Sequence, residues 1–238
     1  PLPRVEGEEE VFTHEERRVP PYIPEPQGPP SGNEFLPFVS VGAGATGNDG
    51  LLAAYADSFL EKGQVTAEVE AFARAAAGNT TGLTRVRAVY AAVMDKLSGR
   101  DAGLTVSAAT SVAQDRGSRL WLLYSSLKAL GVDVRLAVVR TFTADPAPYL
   151  FPNENLWPYL CLKATLDEGA GPRTVWMDPL VRYAPFGELP EVAAGREAFV
   201  LPEPGQPLQK AQTPARVKRP GKAVTLQLEL SPDGKLSG

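Results

Sequence analysis

The chain has 238 residues, of which 43% are hydrophobic, and a net charge of -4 at pH 7. The hydrophobic fraction is sufficient for a folded core, and the acidic balance argues against nucleic-acid binding, which usually requires a basic face. One cysteine, Cys161, excludes an internal disulfide and any zinc site built from several cysteines. The single histidine, His14, lies in a polar leader, so the sequence gives no reason to expect a metal or a cofactor.

Two features of the sequence concern membrane insertion and processing. No apolar run has the length of a membrane span, and we expect no transmembrane segment. The first residue is Pro and no signal peptide is present, so we expect the sequence to be a piece of a longer protein.

The N-terminal part of the chain is polar and rich in proline. Residues 1–34 combine acidic runs with prolines, which predicts an extended arm. Residues 35–41 (FLPFVSV) contain a proline and predict an edge strand. The glycine-rich residues 42–50 lack the Lys-Ser/Thr pair of a phosphate-binding loop, so we predict a flexible loop.

Three amphipathic helices are predicted next. Asn48 is a suitable N-cap for a helix that closes near Gly63. Thr66 caps a second helix, for which Gly78 is the stop, and a third runs over about residues 83–97 with apolar residues at three-four spacing. These patterns are typical of core helices.

The segment from Asp115 to Thr141 organises the rest of the chain. It begins with a helix that is apolar on nearly every side, as expected of a helix buried in the middle of a domain. Gly131 ends this helix, because glycine adopts the left-handed conformation found past many helix ends. The β-branched and alternating pattern of residues 132–139 then predicts a strand. One glycine therefore connects the buried helix to this strand.

The second half of the chain predicts strands joined by turns. A proline-broken connection over residues 144–155 precedes them, and the remaining predicted elements are a strand at 157–166, a turn at 169–172, a strand at 174–177 that ends at Asp178-Pro179, a surface turn at 185–190 and a closing strand. The composition of residues 203–221 predicts a linker. We interpret a small basic cluster in this linker as solvated side chains and not as a binding patch. Residues 222–238 predict the first strand of a truncated β domain, which leaves residues 35–202 as the core.

The order of these elements resembles the papain-like core of the transglutaminase family. In that family a buried helix follows a Gly-Asp-Cys signature and leads through a glycine to a valine-rich strand. A strand carrying His follows, and then a strand ending in Asp-Pro. The matching features of this sequence are the apolar helix, Gly131, the segment VRLAVV, the strand from Trp157, and the segment VWMDP. The resemblance implies an α+β fold in which helices pack on a small antiparallel sheet.

The wider chain resembles bacterial multidomain proteins that place this core between β domains of unknown function. YIPEPQGPP before the core, and PFGELP and VTLQLELSPDGKLSG after it, carry this likeness. The resemblance covers most of residues 20–238 and implies a periplasmic or cell-envelope location.

The resemblance also implies where the catalytic groups of the family fall. Counting back from Gly131, the Gly-Asp-Cys slot falls on Gln114, Asp115 and Arg116, so the nucleophile position holds Arg116. The His slot falls at or near Trp157, and only the Asp slot is kept, as Asp178. Arginine is not a nucleophile and indole does not shuttle protons, so acyl transfer in its known form is absent.

Other residues offer weaker routes to catalysis. Cys161 lies within a predicted strand and is interpreted as a small core residue. Ser125 and Lys128 spell Ser-x-x-Lys but lie late in the buried helix without a Lys-Thr-Gly partner, which favours coincidence. Ser118 is the best surviving hydroxyl, and without a base an N-cap role is favoured. Asp178 is interpreted as a residue that satisfies backbone donors or pairs with Arg116.

Three hypotheses follow. The first is a catalytically inactive transglutaminase-like domain that binds a protein or peptide, or acts as a scaffold, in a larger exported bacterial protein. Its predicted binding residues are Arg116, Ser118, Trp157 and Asp178. The second is a divergent cysteine or serine hydrolase or amide-transferring enzyme that uses Ser118 or Cys161. The third is a purely structural spacer between β domains.

Overall fold

The fold was obtained as a computed structural model of the chain. The residues that it describes form the main body 47–97, 102–141, 156–169, 171–203 and 206–215, together with shorter pieces at 4–6, 9–11, 229–231 and 234–237 and single residues 13, 15, 17 and 99. The predicted strand at 35–41, the proline-broken connection at 144–155, His14 and the basic cluster of the linker lie outside the described residues.

Five α-helices lie within the described residues and precede the main sheet. Their bounds are α1 (Asn48–Leu60), α2 (Ala67–Ala77), α3 (Gly82–Lys96), α4 (Ala108–Gln114) and α5 (Arg119–Ala129). Thr66 caps α2 by accepting a hydrogen bond from the backbone N–H of Val69, and Gly78 follows its last turn with a φ of 52°. Both residues are those that the sequence predicts for these roles.

The helix α5 is buried along its whole first two turns, as its thin polar stripe predicts. Trp121 and Leu127 are fully buried, and the indole N–H of Trp121 donates to the carbonyl of Leu104 at 2.9 Å. Gly131 follows the helix with a φ of 72°, which is the left-handed conformation expected of the stop residue. The chain passes directly into the next strand.

The main sheet has five antiparallel strands. In chain order they are β3 (Asp133–Val139), β4 (Tyr159–Asp167), β5 (Pro172–Met177), β6 (Glu197–Val200) and β7 (Gln209–Gln212). Their order in the sheet is β5-β4-β3-β6-β7, so β3 lies in the centre, with Ala137 opposite both Cys161 and Val200. Residues from both edge strands, β5 and β7, line one groove, because the sheet is curled.

Alternation along the strands sends apolar side chains into two cores. One core lies between the helices and the sheet and contains Leu136, Leu162 and Met177 together with the apolar face of α5. The other lies on the opposite face of the sheet and contains Cys161, Trp176 and other residues under the loop that joins β5 to β6. The α+β class that the sequence predicts is confirmed.

Some elements differ from the sequence-based prediction. The strand β7 lies within residues 203–221, which the composition assigned to a linker. Its side chains are mostly exposed and polar, so a hydrophobic pattern does not mark it. The helix α4 was not predicted. Two short hairpins pair β1 (Arg4–Glu6) with β2 (Glu9–Val11) within the predicted arm, and β8 (Glu229–Leu230) with β9 (Leu236–Ser237) after the linker.

Candidate functional site

The carboxylate of Asp178 is the centre of the site that the family resemblance points to. Asp178 follows β5 directly and is fully buried. Its Oδ1 accepts hydrogen bonds from the backbone N–H groups of Leu180 at 2.9 Å and Val181 at 3.3 Å. Its Oδ2 accepts a short hydrogen bond from the hydroxyl of Tyr159. Backbone donors were expected for this carboxylate, whereas Tyr159 was not.

Two tyrosines contact Asp178, Tyr159 at the carboxylate and Tyr90 at the backbone carbonyl. The hydroxyl of Tyr90 lies 3.2 Å from the backbone carbonyl of Asp178 and 2.8 Å from that of Ala184, and donates toward both. Burial and the charge of Asp178 raise the pKa of Tyr90 to about 12, against an opposing effect of Arg119. Burial and the hydrogen bond to Asp178 raise the pKa of Tyr159 well above its usual range. Both phenols are therefore neutral donors at physiological pH.

The cation close to this cluster is Arg119, the first residue of α5. Its side chain is buried, and its Nη2 donates to the carbonyl of Leu180 at 2.9 Å. Arg116, which the slot count placed at the nucleophile position, is exposed. Asp178 is fully buried, and within the described residues no ion pair joins it to Arg116, so of the two interpretations of Asp178 the structure shows the one with backbone donors. Arg119 was not among the residues singled out from the sequence. The signal that could have found it is an arginine at the start of an otherwise apolar helix.

Ser118 is the N-cap of α5. It is fully buried, and its Oγ accepts a hydrogen bond from the backbone N–H of Trp121 at 3.3 Å. Its own backbone N–H donates to the Oγ of Ser111 at 2.9 Å. This arrangement is the capping role that the sequence favoured, and it directs the hydroxyl along the helix.

Trp157 lies in the core between the helices and the sheet. It is 8% exposed and contacts Phe199 with ring centroids 4.6 Å apart at an angle of 67°. The strand β4 begins at Tyr159 and not at Trp157, so the predicted alternation does not extend back through Pro158. Tyr159 therefore occupies the place beside Asp178 that the slot count gave to Trp157.

The remaining candidate nucleophiles are also held in structural contacts. Burial raises the pKa of the Cys161 thiol far above its usual range, and the charge of Asp178 adds to this effect. The Oγ of Ser125 donates to the carbonyl of Gly63 at 2.8 Å, and Lys128 forms a short ion pair with Glu203. The Ser-x-x-Lys pair is thus divided between two unrelated contacts.

The predicted binding residues do not form one exposed surface. Ser118, Trp157 and Asp178 are buried, and Arg116 is exposed. Asp178 helps to line a cleft of about 160 Å³, to which Val181 and Tyr183 also contribute. The side chain of Tyr183 is 79% exposed.

The chemistry available to this cluster is that of a structural anchor. One carboxylate receives three hydrogen bonds, which is the arrangement that holds a buried anion and its loop in place. A nucleophile requires a base within hydrogen-bond reach. Within the described residues, no hydrogen bond joins the Oγ of Ser118 or the Sγ of Cys161 to a basic group, and the carboxylate of Asp178, whose charge acts on Cys161, already accepts three hydrogen bonds. Within the same residues, no group of three or more His, Cys, Asp or Glu side chains is arranged to hold a metal ion.

The helices that the structure describes include none that is both long and apolar enough to cross a membrane.

Comparisons with known proteins are sparse. No protein-family model matches the sequence, and no curated protein matches it. Among solved structures, the chain is similar to a protein from Parabacteroides distasonis described as a candidate protease, with 15% sequence identity and a TM-score of 0.41. The similarity covers 63% of this chain and 29% of that protein, so the chain spans less than a third of its length. A likeness at this level carries no argument about activity.

Proposed function

We propose that this domain is a non-catalytic module that binds a protein or peptide, built on a papain-like transglutaminase core in which acyl transfer has been lost. The observation that carries the proposal is the environment of Asp178. In the family that the sequence resembles, the equivalent Asp orients a histidine. Here the carboxylate is occupied by the hydroxyl of Tyr159 and two backbone N–H groups.

Each candidate nucleophile supports the same proposal. The hydroxyl of Ser118 caps α5, and the thiol of Cys161 is fully buried with a raised pKa. A thiol must lose its proton to attack a carbonyl, and a hydroxyl requires a base that removes its proton. Burial without such a base disfavours both reactions.

The surroundings of the domain belong to the proposal as well. The text flanking the core resembles bacterial proteins with β domains on either side, so we place the domain in a larger exported protein at the periplasm or cell envelope. The partners that we propose for it there are peptide segments of neighbouring proteins.

Chemical labelling of the folded protein tests the non-catalytic part. The protein is treated separately with a fluorophosphonate and with iodoacetamide, and its intact mass is recorded over time. We expect no modification of the folded protein by either reagent, and complete alkylation of Cys161 after denaturation. The denatured sample is the positive control for the thiol reagent.

Fast stoichiometric modification of the folded protein at Ser118 or Cys161 would contradict the proposal. Such labelling requires an activated nucleophile, and the divergent hydrolase would then be the better description. Ser118→Ala and Cys161→Ala identify the modified atom, because each removes one candidate.

A further inference from the structure

An open groove of about 540 Å³ lies between the two edges of the curled sheet. Its volume falls within the roughly 300–1,000 Å³ that is typical of ligand-binding sites. The cleft that Asp178 helps to line is smaller, at about 160 Å³, and the carboxylate of Asp178 already accepts three hydrogen bonds. Side chains from α3, β5, the turn after Pro185 and β7 line the larger groove, among them Arg87, Arg173, Thr174, Phe186, Glu188 and Gln212.

One wall of the groove is an unpaired strand edge. The strand β5 pairs with β4 on one side only, and the first three residues of β5 are exposed. Among the residues that the structure describes, no backbone hydrogen bond joins β5 to any element other than β4. Edge strands of this kind offer N–H and C=O groups to an added extended segment.

The opposite wall carries a guanidinium held in place by an aromatic ring. The guanidinium carbon of Arg87 lies 5.0 Å from the ring centroid of Phe186, within the range of cation–π contacts. Phe186 in turn contacts Tyr90 edge-to-face at 5.5 Å. The hydroxyl of Tyr90 is hydrogen-bonded to the carbonyls of Asp178 and Ala184. The buried cluster therefore holds in place the ring of Phe186, over which Arg87 lies.

The guanidinium of Arg87 is the charge in the groove that favours an anionic ligand. Arg173 and Glu188 also line the groove, but Arg173 forms an ion pair with Glu168 at 3.2 Å, and Glu168 also accepts a hydrogen bond from the backbone N–H of the lining residue Leu83. Arg87, which lies over the ring of Phe186, has no ion-pair partner within the described residues. A planar guanidinium that is stacked on one face still presents its N–H groups in the ring plane to a carboxylate.

We propose that this groove binds an extended peptide segment that carries a carboxylate. The peptide backbone lies along the exposed edge of β5 at Arg173 and Thr174, and the carboxylate pairs with Arg87. The carboxylate belongs to an Asp or Glu side chain or to a free C-terminus. This assignment rests on the proposed binding function and gives that function its surface and ligand chemistry.

Selection from a random peptide library tests the assignment. An array of eight-residue peptides, each with a free or an amidated C-terminus, is probed with the full chain, and the strongest binders are measured by fluorescence anisotropy. We expect binders to carry Asp, Glu or a free C-terminus. We expect Arg87→Gln to weaken binding on the order of tenfold or more, because it removes a charge-assisted hydrogen bond.

A matched control variant is available in the same chain. The guanidinium carbon of Arg182 also lies 5.0 Å from an aromatic ring, that of Tyr183, but Arg182 does not line the groove. Arg182→Gln therefore removes the same charge and the same type of stacking elsewhere, and we expect it to leave the affinity unchanged.

Peptides with N-methylated backbones test the strand edge without changing the protein. Pairing with β5 predicts that N-methylation weakens binding at alternate positions, since only every second N–H of an added strand faces the sheet. Pairing along β5 would be overturned if N-methylation weakened binding equally at all positions. It would also be overturned if the groove bound acetate in place of the peptide.

The outcomes separate this assignment from the proposed function. Peptide binding that is unaffected by Arg87→Gln but lost in Tyr183→Ala would overturn the groove and leave a binding module. No peptide bound by the wild-type chain would overturn both. Labelling of a nucleophile in the folded protein would overturn the non-catalytic proposal independently of any peptide.

Discussion

At the scale of single residues, the environment of Asp178 decides what its carboxylate can do. Beside a histidine, a buried carboxylate orients a proton carrier. Beside Tyr159, whose pKa burial and the hydrogen bond raise well above its usual range, it accepts a hydrogen bond that does not move a proton at physiological pH. The carboxylate then acts on structure, because it holds the backbone N–H groups of Leu180 and Val181 at the start of the loop after β5.

Replacing Tyr159 with phenylalanine tests this structural role. Tyr159→Phe removes the hydroxyl donor and leaves Oδ2 of Asp178 buried without it. We expect a loss of about 1–3 kcal/mol in the free energy of unfolding, measured by urea denaturation. Tyr183→Phe, at a side chain that is 79% exposed, is the control and changes stability by less than about 0.5 kcal/mol. Equal stability of the two variants would show that the hydrogen bond contributes nothing net.

The buried thiol of Cys161 predicts a loss of stability at alkaline pH. Burial raises the pKa of the folded-state thiol above its unfolded value of about 8.5, so the folded state holds the proton more tightly. The contribution of the protonated thiol to the free energy of unfolding is complete below about pH 8.5. It is lost as the pH rises, by up to about 1.4 kcal/mol per pH unit. Tyrosines titrate from about pH 10 in the unfolded chain, which bounds the useful window.

Cys161→Ala removes this titration while leaving the tyrosines in place. Between about pH 8.5 and pH 10, we expect the wild-type protein to lose roughly 1–2 kcal/mol of unfolding free energy that the variant retains. Urea denaturation across this range measures the difference. Parallel pH profiles for the two proteins would mean that the thiol titrates alike in the folded and unfolded states.

At the scale of elements, the sequence predicts best where burial and alternation coincide. The helix α5 is apolar on nearly every side because both the other helices and the sheet cover it, and its glycine stop and Ser118 cap follow ordinary helix chemistry. The strands β3, β4 and β5 alternate between two cores. These features belong to the local sequence, so composition and spacing reveal them.

Elements whose side chains stay exposed were missed for the same physical reason. The edge strand β7 reads QKAQ, and backbone pairing with β6 alone defines it. The site shows a related difference, because Pro158 ends the alternation and the strand presents Tyr159, not Trp157, to Asp178. Asp178 was found in the sequence from its position before Pro179. Its hydrogen-bond partner, Tyr159, depends on the residue at which β4 begins, and spacing in the sequence does not determine that residue.

The junction between α4 and α5 predicts a strict requirement for glycine. A Cβ atom on Gly117 would lie 2.8 Å from the Cβ of Ser111 and 3.0 Å from its Cα, and closer still to its Oγ. We expect Gly117→Ala to lower the free energy of unfolding by about 3 kcal/mol, because the clash includes the Cβ and the backbone Cα of Ser111 within α4, which cannot move aside as the end of a flexible side chain can. Calorimetry or urea denaturation measures the loss.

Gly131→Ala is the matched control for that substitution. No atom lies within 4 Å of a Cβ on Gly131, so this variant carries only the cost of a left-handed backbone, at a φ of 72°. That cost is roughly 1–2 kcal/mol. A loss no larger at Gly117 than at Gly131 would contradict the steric explanation.

At the scale of the whole molecule, the domain extends further than its composition suggests. The predicted core ended at residue 202, yet the sheet continues to Gln212 at the end of β7, and backbone hydrogen bonds to the loop before β6 continue as far as Pro214. Thr213 is buried and donates to the carbonyl of Ala193 at 2.6 Å, and it accepts from the backbone N–H of Arg196 at 2.8 Å. These contacts tie the end of β7 to the loop that covers the second core.

Comparing two shortened chains locates this boundary. A chain ending at residue 203 keeps the ion pair of Lys128 with Glu203 but loses β7 and the bonds of Thr213. A chain ending at residue 215 keeps all of them. We expect the shorter chain to be at least about 3 kcal/mol less stable, since it leaves the carbonyl of Ala193 and the N–H of Arg196 without these partners. It also exposes the edge of β6, so we expect it to self-associate more strongly. Urea denaturation and sedimentation velocity measure the two effects, and equal stability of the two chains would place the end of the domain before β7.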